Sequence, residues 1–260
     1  GNVAFTNNNL DLAISGQGFF RLDDNGTIGY TRAGAFSVDK DGYIVNSQNQ
    51  RLTGYVADQN GNISGALADM RLDTSAIAPQ ATSNVGLNLN LDSNSTTFPP
   101  SPGSPVFDPT DPSTYNNSTS TTVYDSLGNP LLATMYYRQT TTPNVWETYT
   151  YLQPSTGPAV EVVPTGESAG DPATITFSSD GTLQSVDPPT GTSPTTISYQ
   201  ATNAGTGGAD LTLNLAYSGT TQYGSNFTVN NLSQDGFATG ELSGVDISST
   251  GVMQARFTNG

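Results

Sequence analysis

The acidic residues of this sequence could catalyse a reaction without side chains of any other type. Two carboxylates can hydrolyse a glycosidic bond, one acting as acid and the other as base or nucleophile. Of the 22 acidic residues 18 are Asp, and most of these are interpreted as solvated turn formers. Glu147 and Glu161 are the least turn-like acids and would be tested first if an activity were seen. Because turn formation accounts for most of the acids, we predict no catalytic residues and no enzyme.

Aromatic residues in the middle of the chain suggest a second kind of site. Trp146, Tyr149 and Tyr151 share one segment, and Tyr136 and Tyr137 stand in the segment before it. Together they could form a platform that binds sugars, but aromatics in successive strands more often form the core of a sheet. The pattern favours the core, and it leaves a secreted carbohydrate-binding or glycan-cleaving β-protein as the alternative function.

Two glycines in the stretch "LAISGQGFF", Gly16 and Gly18, are spaced like part of a phosphate-binding loop. A dinucleotide-binding fingerprint needs a third glycine and a helix directly behind it. Here "FFRL" and a turn sequence follow. We therefore predict a strand with a bulge or a close backbone approach at the glycines, and no cofactor.

A stretch at 37–48, "SVDKDGYIVNSQ", is spaced like a calcium loop. Such a loop begins with an acid and ends with a bidentate Glu, whereas this one offers Ser37 and Gln48. A β-turn is the better interpretation. The chain also has no Cys and no His, which excludes disulfides, the usual zinc sites and catalysis by imidazole or thiolate. We predict no metal site.

The charge of the chain limits its partners. Seven basic residues stand against 22 acidic ones, for a net charge of -15. Nucleic acid and anionic membrane surfaces should repel such a chain, so we predict no nucleic acid and no membrane partner. No apolar run is long enough for a membrane span, and the first ten residues lack the regions of a signal peptide. Export, if it occurs, is expected without a cleaved signal peptide.

Composition and periodicity predict an all-β protein. The sequence has one Lys and four Glu but is rich in Ser, Thr, Asn and Gly, which is unsuited to long helices. Leu211, Leu213, Leu215 and Tyr217 alternate with polar or small residues, as in a half-buried strand. Turn sequences are expected to close hairpins throughout the chain: "DDNG" at 23–26, "DKDG" at 39–42, "DQNG" at 58–61, "DSLG" at 125–128, "SDG" at 179–181 and "QDG" at 234–236.

Two polar stretches divide the chain. The first, 92–122, is rich in Pro, Ser and Thr without any period, and we interpret it as a connector. The second, 218–226, separates the last clear strand from a tail of about 34 residues that is too short to fold alone. If the strand-rich blocks are rigid bodies, the chain segments that connect them near Leu91 and Tyr217 could act as hinges.

Several segments resemble the axial proteins of the bacterial flagellum, which are the rod and hook subunits. The resemblance rests on "LDLAISGQGFF" at 10–20, "YTRAGAFSVDKDGYIVN" at 30–46 and "LTGY" at 52–55. Further along, "TTVYDSLGNP" at 121–130 and the segment from 231 to the end are similar to hook proteins. The long insert favours a hook protein over a flagellar rod protein, which is the alternative within the family.

The resemblance implies an architecture of two β-rich domains. Residues 1–91 plus 219–260 would form a discontinuous inner hook domain, and 92–218 an inserted outer β-domain, built as a sandwich or a barrel. The apolar terminal helices of hook proteins are not found in this sequence, which suggests a core fragment that is monomeric in solution. Its subunit-contact residues are unknown from the sequence.

The resemblance also implies a function. Hook proteins are structural subunits of a flexible tubular polymer, a universal joint that transmits motor torque from rod to filament. The implied location is the extracellular part of the bacterial flagellum. The implied partners are further copies of the chain, the distal rod protein, the hook cap and the hook–filament junction protein.

Overall fold

A computed structural model describes residues 8–57, 62–72, 75–191 and 193–259. The prediction of an all-β protein is confirmed: twenty strands and one short 3-10 helix make up the regular structure of these residues. Among them, no helix is long and apolar enough to cross a membrane. The turn predicted at 58–61 lies outside the described residues.

The chain forms two compact units. The smaller unit is built from two separate stretches, 1–77 and 240–260, and the larger unit comprises 78–239. The domain bounds implied by the resemblance, 91/92 and 218/219, fall inside the larger unit. They coincide with polar stretches, but a polar stretch can mark only the end of a strand, whereas a compact unit ends where its pairing ends.

The smaller unit contains one antiparallel sheet with the order β2-β1-β5-β4-β3, and β6 pairs with β5. A separate hairpin is formed by β19 and β20. One face of the sheet packs on a small core of Leu10, Leu22, Phe36, Ile44, Leu52 and Leu72. The strands are β1 (Phe20–Asp24), β2 (Thr27–Thr31), β3 (Ser37–Val38), β4 (Ile44–Val45), β5 (Arg51–Ala57), β6 (Ile63–Asp69), β19 (Leu242–Ile247) and β20 (Met253–Phe257).

Gly34 explains part of the "TRAGAF" sequence. Its carbonyl oxygen accepts a hydrogen bond from the Leu12 amide at 2.8 Å, which brings two backbones together. A β-carbon on Gly34 would overlap the Leu12 carbonyl oxygen and lie 2.7 Å from its carbonyl carbon. This position therefore needs glycine for space.

Gly34→Ala should destabilise the smaller unit by about 2 kcal/mol or more, because rigid backbone atoms must move to admit the methyl group. Gly29→Ala is the matched control, since a β-carbon at Gly29 meets nothing within 4 Å in the same sheet. Urea unfolding of both variants measures the difference. Equal stabilities for the two variants would contradict this interpretation.

The larger unit contains two six-stranded sheets. The first has the order β13-β12-β10-β9-β8, with β11 on β10, and is antiparallel throughout. It is the sheet that carries Glu147 and the aromatic residues singled out by the sequence. Its strands are β8 (Asn117–Tyr124), β9 (Pro130–Gln139), β10 (Val145–Pro154), β11 (Val160–Val162), β12 (Ala173–Phe177) and β13 (Leu183–Asp187).

The second sheet of the larger unit is organised around one long strand, β7. Along one edge β7 pairs in parallel with β16 and β17, and along the other it pairs antiparallel with β18. Beyond β16 the sheet continues through β15 to β14. Its strands are β7 (Asn84–Asp92), β14 (Pro189–Thr190), β15 (Ser193–Ser198), β16 (Asn214–Ala216), β17 (Thr221–Tyr223) and β18 (Thr228–Gln234).

The two sheets of the larger unit share one core and form a β-sandwich. Buried side chains of β7 and β16 meet those of β9, β10 and β12 in a single cluster. The alternation predicted at 211–217 is confirmed, because its four large apolar residues are buried. Leu91 and Tyr217 are both fully buried in this core, so the hinge hypothesis for those positions is wrong.

Turn chemistry was predicted well. The sequences at 23–26, 39–42, 125–128 and 179–181 close the hairpins β1–β2, β3–β4, β8–β9 and β12–β13. The sequence at 234–236 does not close a hairpin, because β18 pairs with β7 and β19 pairs with β20. Asp235 instead accepts hydrogen bonds from the Ser83 and Asn84 amides at 2.8 and 3.0 Å, beside the start of β7.

Candidate functional site

The aromatic residues of β9 and β10 divide between the two faces of the first sheet. Trp146 and Tyr137 point into the core and are fully buried. Tyr136, Tyr149 and Tyr151 lie on the opposite face, as the period of two requires. The prediction that aromatics form a sheet core is therefore confirmed for Trp146 and Tyr137.

A strap covers the opposite face. We use this word for residues 93–116, which run between β7 and β8 without strands of their own. Phe107 of the strap stacks on Tyr149, with ring centroids 3.9 Å apart and an angle of 8° between the planes. Tyr115 of the strap meets Tyr136 edge-on at 4.9 Å. The hypothesis of an open sugar-binding platform is thus wrong, because aromatic rings of the strap already cover this face.

A buried ion pair lies under the same strap. Arg138 of β9 and Glu147 of β10 are directly opposite in the register, and their Nε and Oε2 atoms are 3.8 Å apart. Both side chains are almost completely buried. Arg138 donates to the Pro105 carbonyl at 2.7 Å, and Glu147 accepts from the Ser101 amide at 2.6 Å. The pair therefore holds the strap against the sheet.

Burial dominates the electrostatics of this face. It raises the pKa of Glu147 above the ordinary value, although the Ser101 amide and the Arg138 charge oppose the rise. Burial also raises the pKa of Tyr149 to about 12, with the neighbouring Glu147 charge adding to the effect. A raised carboxyl pKa is common in catalytic acids, but here the carboxyl group is covered by the strap.

The second candidate acid, Glu161, does not complete a catalytic pair with Glu147. Glu161 of β11 is opposite Tyr151, four residues beyond Glu147 along β10. At about 3.4 Å per residue the two positions are roughly 14 Å apart along the strand, well beyond the roughly 5 to 9.5 Å of glycosidase carboxylates. Glu161 instead accepts the Gly170 amide at 3.0 Å, and burial raises its pKa.

The two loop motifs also have structural roles. Gly16 and Gly18 adopt φ values of 101° and 143°, which favour glycine, and no helix follows them. Asp39 accepts from the amides of Asp41 and Tyr43, at 2.9 and 2.8 Å, within the turn between β3 and β4. Within the described ranges, no group of three or more acidic residues is placed to hold a metal ion.

An exposed apolar face on the smaller unit was not predicted from the sequence. Tyr30 of β2 and Tyr55 of β5 are 67% and 58% exposed, and Leu67 of β6, opposite Tyr55, is 50% exposed. The register places them on the side of the sheet away from the small core, together with Ile28 and Arg21. We call this set the sheet face. The only sign of the sheet face in the sequence was the alternating residue pattern along strands β2 and β5.

Arg138, Glu147 and the aromatic rings under the strap are engaged in internal contacts. Family comparisons identify the class of the protein. Residues 88–237 match the model of the flagellar basal body protein FlaE D2 domain, and residues 13–96 match that of the flagellar hook protein FlgE/F/G D1 domain. The chain therefore belongs to the flagellar hook protein family.

Individual relatives carry the same description. The chain is 31% identical over 273 residues to the flagellar hook protein FlgE of Salmonella typhimurium, covering 100% of this chain and 60% of the relative. It is 31% identical over 270 residues to FlgE of Escherichia coli K12, with the same two coverages. The chain thus spans about 60% of the length of these relatives.

A solved structure shares the fold. The crystal structure of the Helicobacter pylori flagellar hook protein FlgE2 superposes with a TM-score of 0.58 at 13% sequence identity. The match covers 97% of this chain and 86% of the other. At this identity the likeness concerns the fold, and it agrees with the multi-domain β-rich architecture expected from the sequence.

Proposed function

We propose that this chain is part of a structural subunit of the flagellar hook. In this proposal many copies assemble into a flexible tube that carries motor torque from rod to filament, outside the cell. The family membership carries the proposal, because both family models describe flagellar proteins and together span 13–237. The chain would act through its shape and surfaces, without catalysis.

The two compact units suit this role. We propose that the smaller unit is the inner domain of the hook and the larger unit an outer domain inserted into it. A bent tube that spins about its own axis lengthens and shortens each row of subunits once per turn. Surfaces rich in Ser, Thr and Asn make water-mediated contacts that exchange partners at small cost. Such contacts support sliding between subunits.

Further partners follow from the family resemblance. A hook subunit would meet the distal rod protein, the hook cap and the hook–filament junction protein at the two ends of the polymer. The rod-protein alternative is disfavoured by the match of 88–237 to the D2 domain model.

Deletion of the gene that encodes this chain in its own bacterium tests the proposal. The mutant should assemble basal bodies without hooks and should not swim, and the intact gene should restore both. Electron microscopy of isolated basal bodies provides the measurement. Normal hooks in the deletion strain would overturn the proposal, whereas truncated rods would favour the rod-protein alternative.

A further inference from the structure

We propose that the sheet face of the smaller unit binds the larger unit of a second copy of this chain. The proposal deepens the proposed function, since it names one contact between hook subunits and the two surfaces that form it. It rests on exposed side chains, on the distribution of charge and on a groove beside the face.

The apolar residues of the sheet face are grouped on one side of the sheet. Tyr30, Tyr55 and Leu67 are each at least half exposed, and Ile28 is 39% exposed. They lie on three strands of one sheet whose opposite face is buried. Tyrosine and arginine are enriched at protein interfaces and at their binding hot spots.

A groove lies beside the sheet face, next to the end of β5. Its volume is about 620 Å³, and it is lined by residues of β5 and β6 and of the hairpin β19–β20, all within the smaller unit. Tyr55 and Ile63 form part of its wall, with Met70 and Met253 deeper in it. Methionine side chains adapt readily to a partner, so the groove can accept a protruding side chain.

Two arginines near the sheet face have no carboxylate partner among the residues that the structure describes. Arg21 donates to the Thr53 hydroxyl at 3.0 Å. Arg32, directly after β2, donates to the carbonyl oxygens of Ile14 and Gly16 at 3.2 and 2.8 Å. A carboxylate of a partner could pair with either guanidinium group.

The larger unit has the complementary charge. Residues 78–239 contain twelve Asp and Glu residues and a single basic residue, Arg138. Arg138 is 1% exposed and lies under the strap, so it contributes nothing to the surface. The other six basic residues belong to the smaller unit. The side of the sheet that carries Arg21 also carries Asp23 and the ion pair of Arg51 with Asp69. Together with Arg32 these charged residues sum to a net charge of +1. The sheet face therefore has a weak positive charge that complements the anionic surface of a larger unit.

The size of the sheet face predicts a weak individual contact. Four strands about 4.8 Å apart, with about five residues each at 3.4 Å, give roughly 300 Å². A standard interface uses about 800 Å² of each partner. One such contact is therefore reversible, and it gains strength only when many copies are aligned in a polymer. This matches a subunit that slides against its neighbours.

Photo-cross-linking of the whole chain tests the inference. A photoreactive benzoylphenylalanine replaces Tyr55, whose exposure makes the change tolerable, and isotope-labelled and unlabelled copies are mixed so that contacts between copies can be recognised by mass. We expect cross-links from position 55 to peptides within 78–239 of another copy. Their yield should fall with salt, because exposed charges are screened.

Charge variants provide a matched control. Arg21→Glu should lower this yield roughly five-fold or more, because it places a carboxylate against an acidic surface. Lys40→Glu makes the same change of charge in an exposed turn away from the sheet face and should leave the yield unchanged. Circular dichroism verifies that both variants are folded.

The outcomes separate this inference from the proposed function. Cross-links between copies that reach only the smaller unit would overturn the inference, as would the absence of any cross-link between copies. An equal loss with Lys40→Glu would show a general effect of charge and would also contradict the inference. The proposed function is tested independently by the deletion strain, which can lack hooks even when position 55 contacts nothing in 78–239.

Discussion

Replacing Trp146 with alanine is expected to destabilise the larger unit by about 3 to 5 kcal/mol. Trp146 is fully buried at the centre of the sandwich core. Its indole Nε1 donates to Gln222 Oε1 at 2.8 Å, and Gln222 in turn donates to Asn144 at 3.2 Å. The substitution therefore leaves both a cavity and an amide oxygen without its donor.

Urea unfolding followed by circular dichroism measures this effect. Fluorescence is unsuitable, because Trp146 is the only tryptophan of the chain. Val106→Ala is the control, since Val106 is 70% exposed and should change stability by less than about 0.5 kcal/mol. Trp146→Phe should fall between them, as it restores most of the volume without the donor. A loss below about 1 kcal/mol for Trp146→Ala would contradict the assigned packing.

Removing one partner of the buried ion pair should lower the free energy of unfolding by about as much as the tryptophan substitution does. Arg138→Leu leaves the Glu147 carboxylate buried without its cation and removes the hydrogen bond to the strap at Pro105. We expect a loss of about 3 to 5 kcal/mol. The double variant Arg138→Leu/Glu147→Leu should recover a large part of it, because no uncompensated charge remains.

A double-mutant cycle at two pH values tests this expectation. The folded-state pKa of Glu147 is already above its ordinary value because of burial, and loss of Arg138 raises it further. A carboxyl group whose pKa is raised in the folded state contributes stability that is fully present below its unfolded-state pKa. This contribution is lost as the pH rises through its folded-state pKa. The cost of Arg138→Leu should therefore shrink in mildly acidic buffer. Losses that simply add in the double variant would show that the two charges do not interact.

The all-β class and most hairpins could be predicted because they depend on local chemistry. Asp, Asn and Gly tolerate the backbone of tight turns, so turns such as "DDNG" at 23–26 are visible in the sequence. The turn sequence at 234–236 led to a wrong hairpin prediction for the same reason. Its Asp235 uses the same hydrogen-bonding capacity on the distant residues Ser83 and Asn84, which no local pattern reveals.

Long-range pairing limited the rest of the prediction. Val85, Leu87, Leu89 and Leu91 alternate regularly and are buried, so the strand β7 was detectable. The domain boundary implied by the resemblance, at 91/92, nevertheless lies at the end of this strand. Its partners, β16 to β18, come from the other end of the larger unit, and local sequence does not specify them.

The candidate sites also have one part that the sequence predicts and another that only the tertiary structure shows. Alternation along β10 separates Trp146 from Tyr149 and Tyr151, which is sufficient to place them on opposite faces. Only the tertiary structure shows that the strap covers the second face with Phe107. The sheet face of the smaller unit escaped prediction because its residues come from three strands, each with an ordinary half-exposed pattern.

The position of β7 has a consequence for how the chain becomes folded. The Leu89 amide is 3.3 Å from the Thr220 hydroxyl, 131 positions along the chain, and β18 lies along the other edge of β7. Such distant pairing slows folding, because a long loop must close before any contact is gained. During synthesis, the larger unit cannot complete its second sheet until residues near 234 have emerged. An unfinished chain would keep the edges of β7 open and thus prone to pairing with other chains.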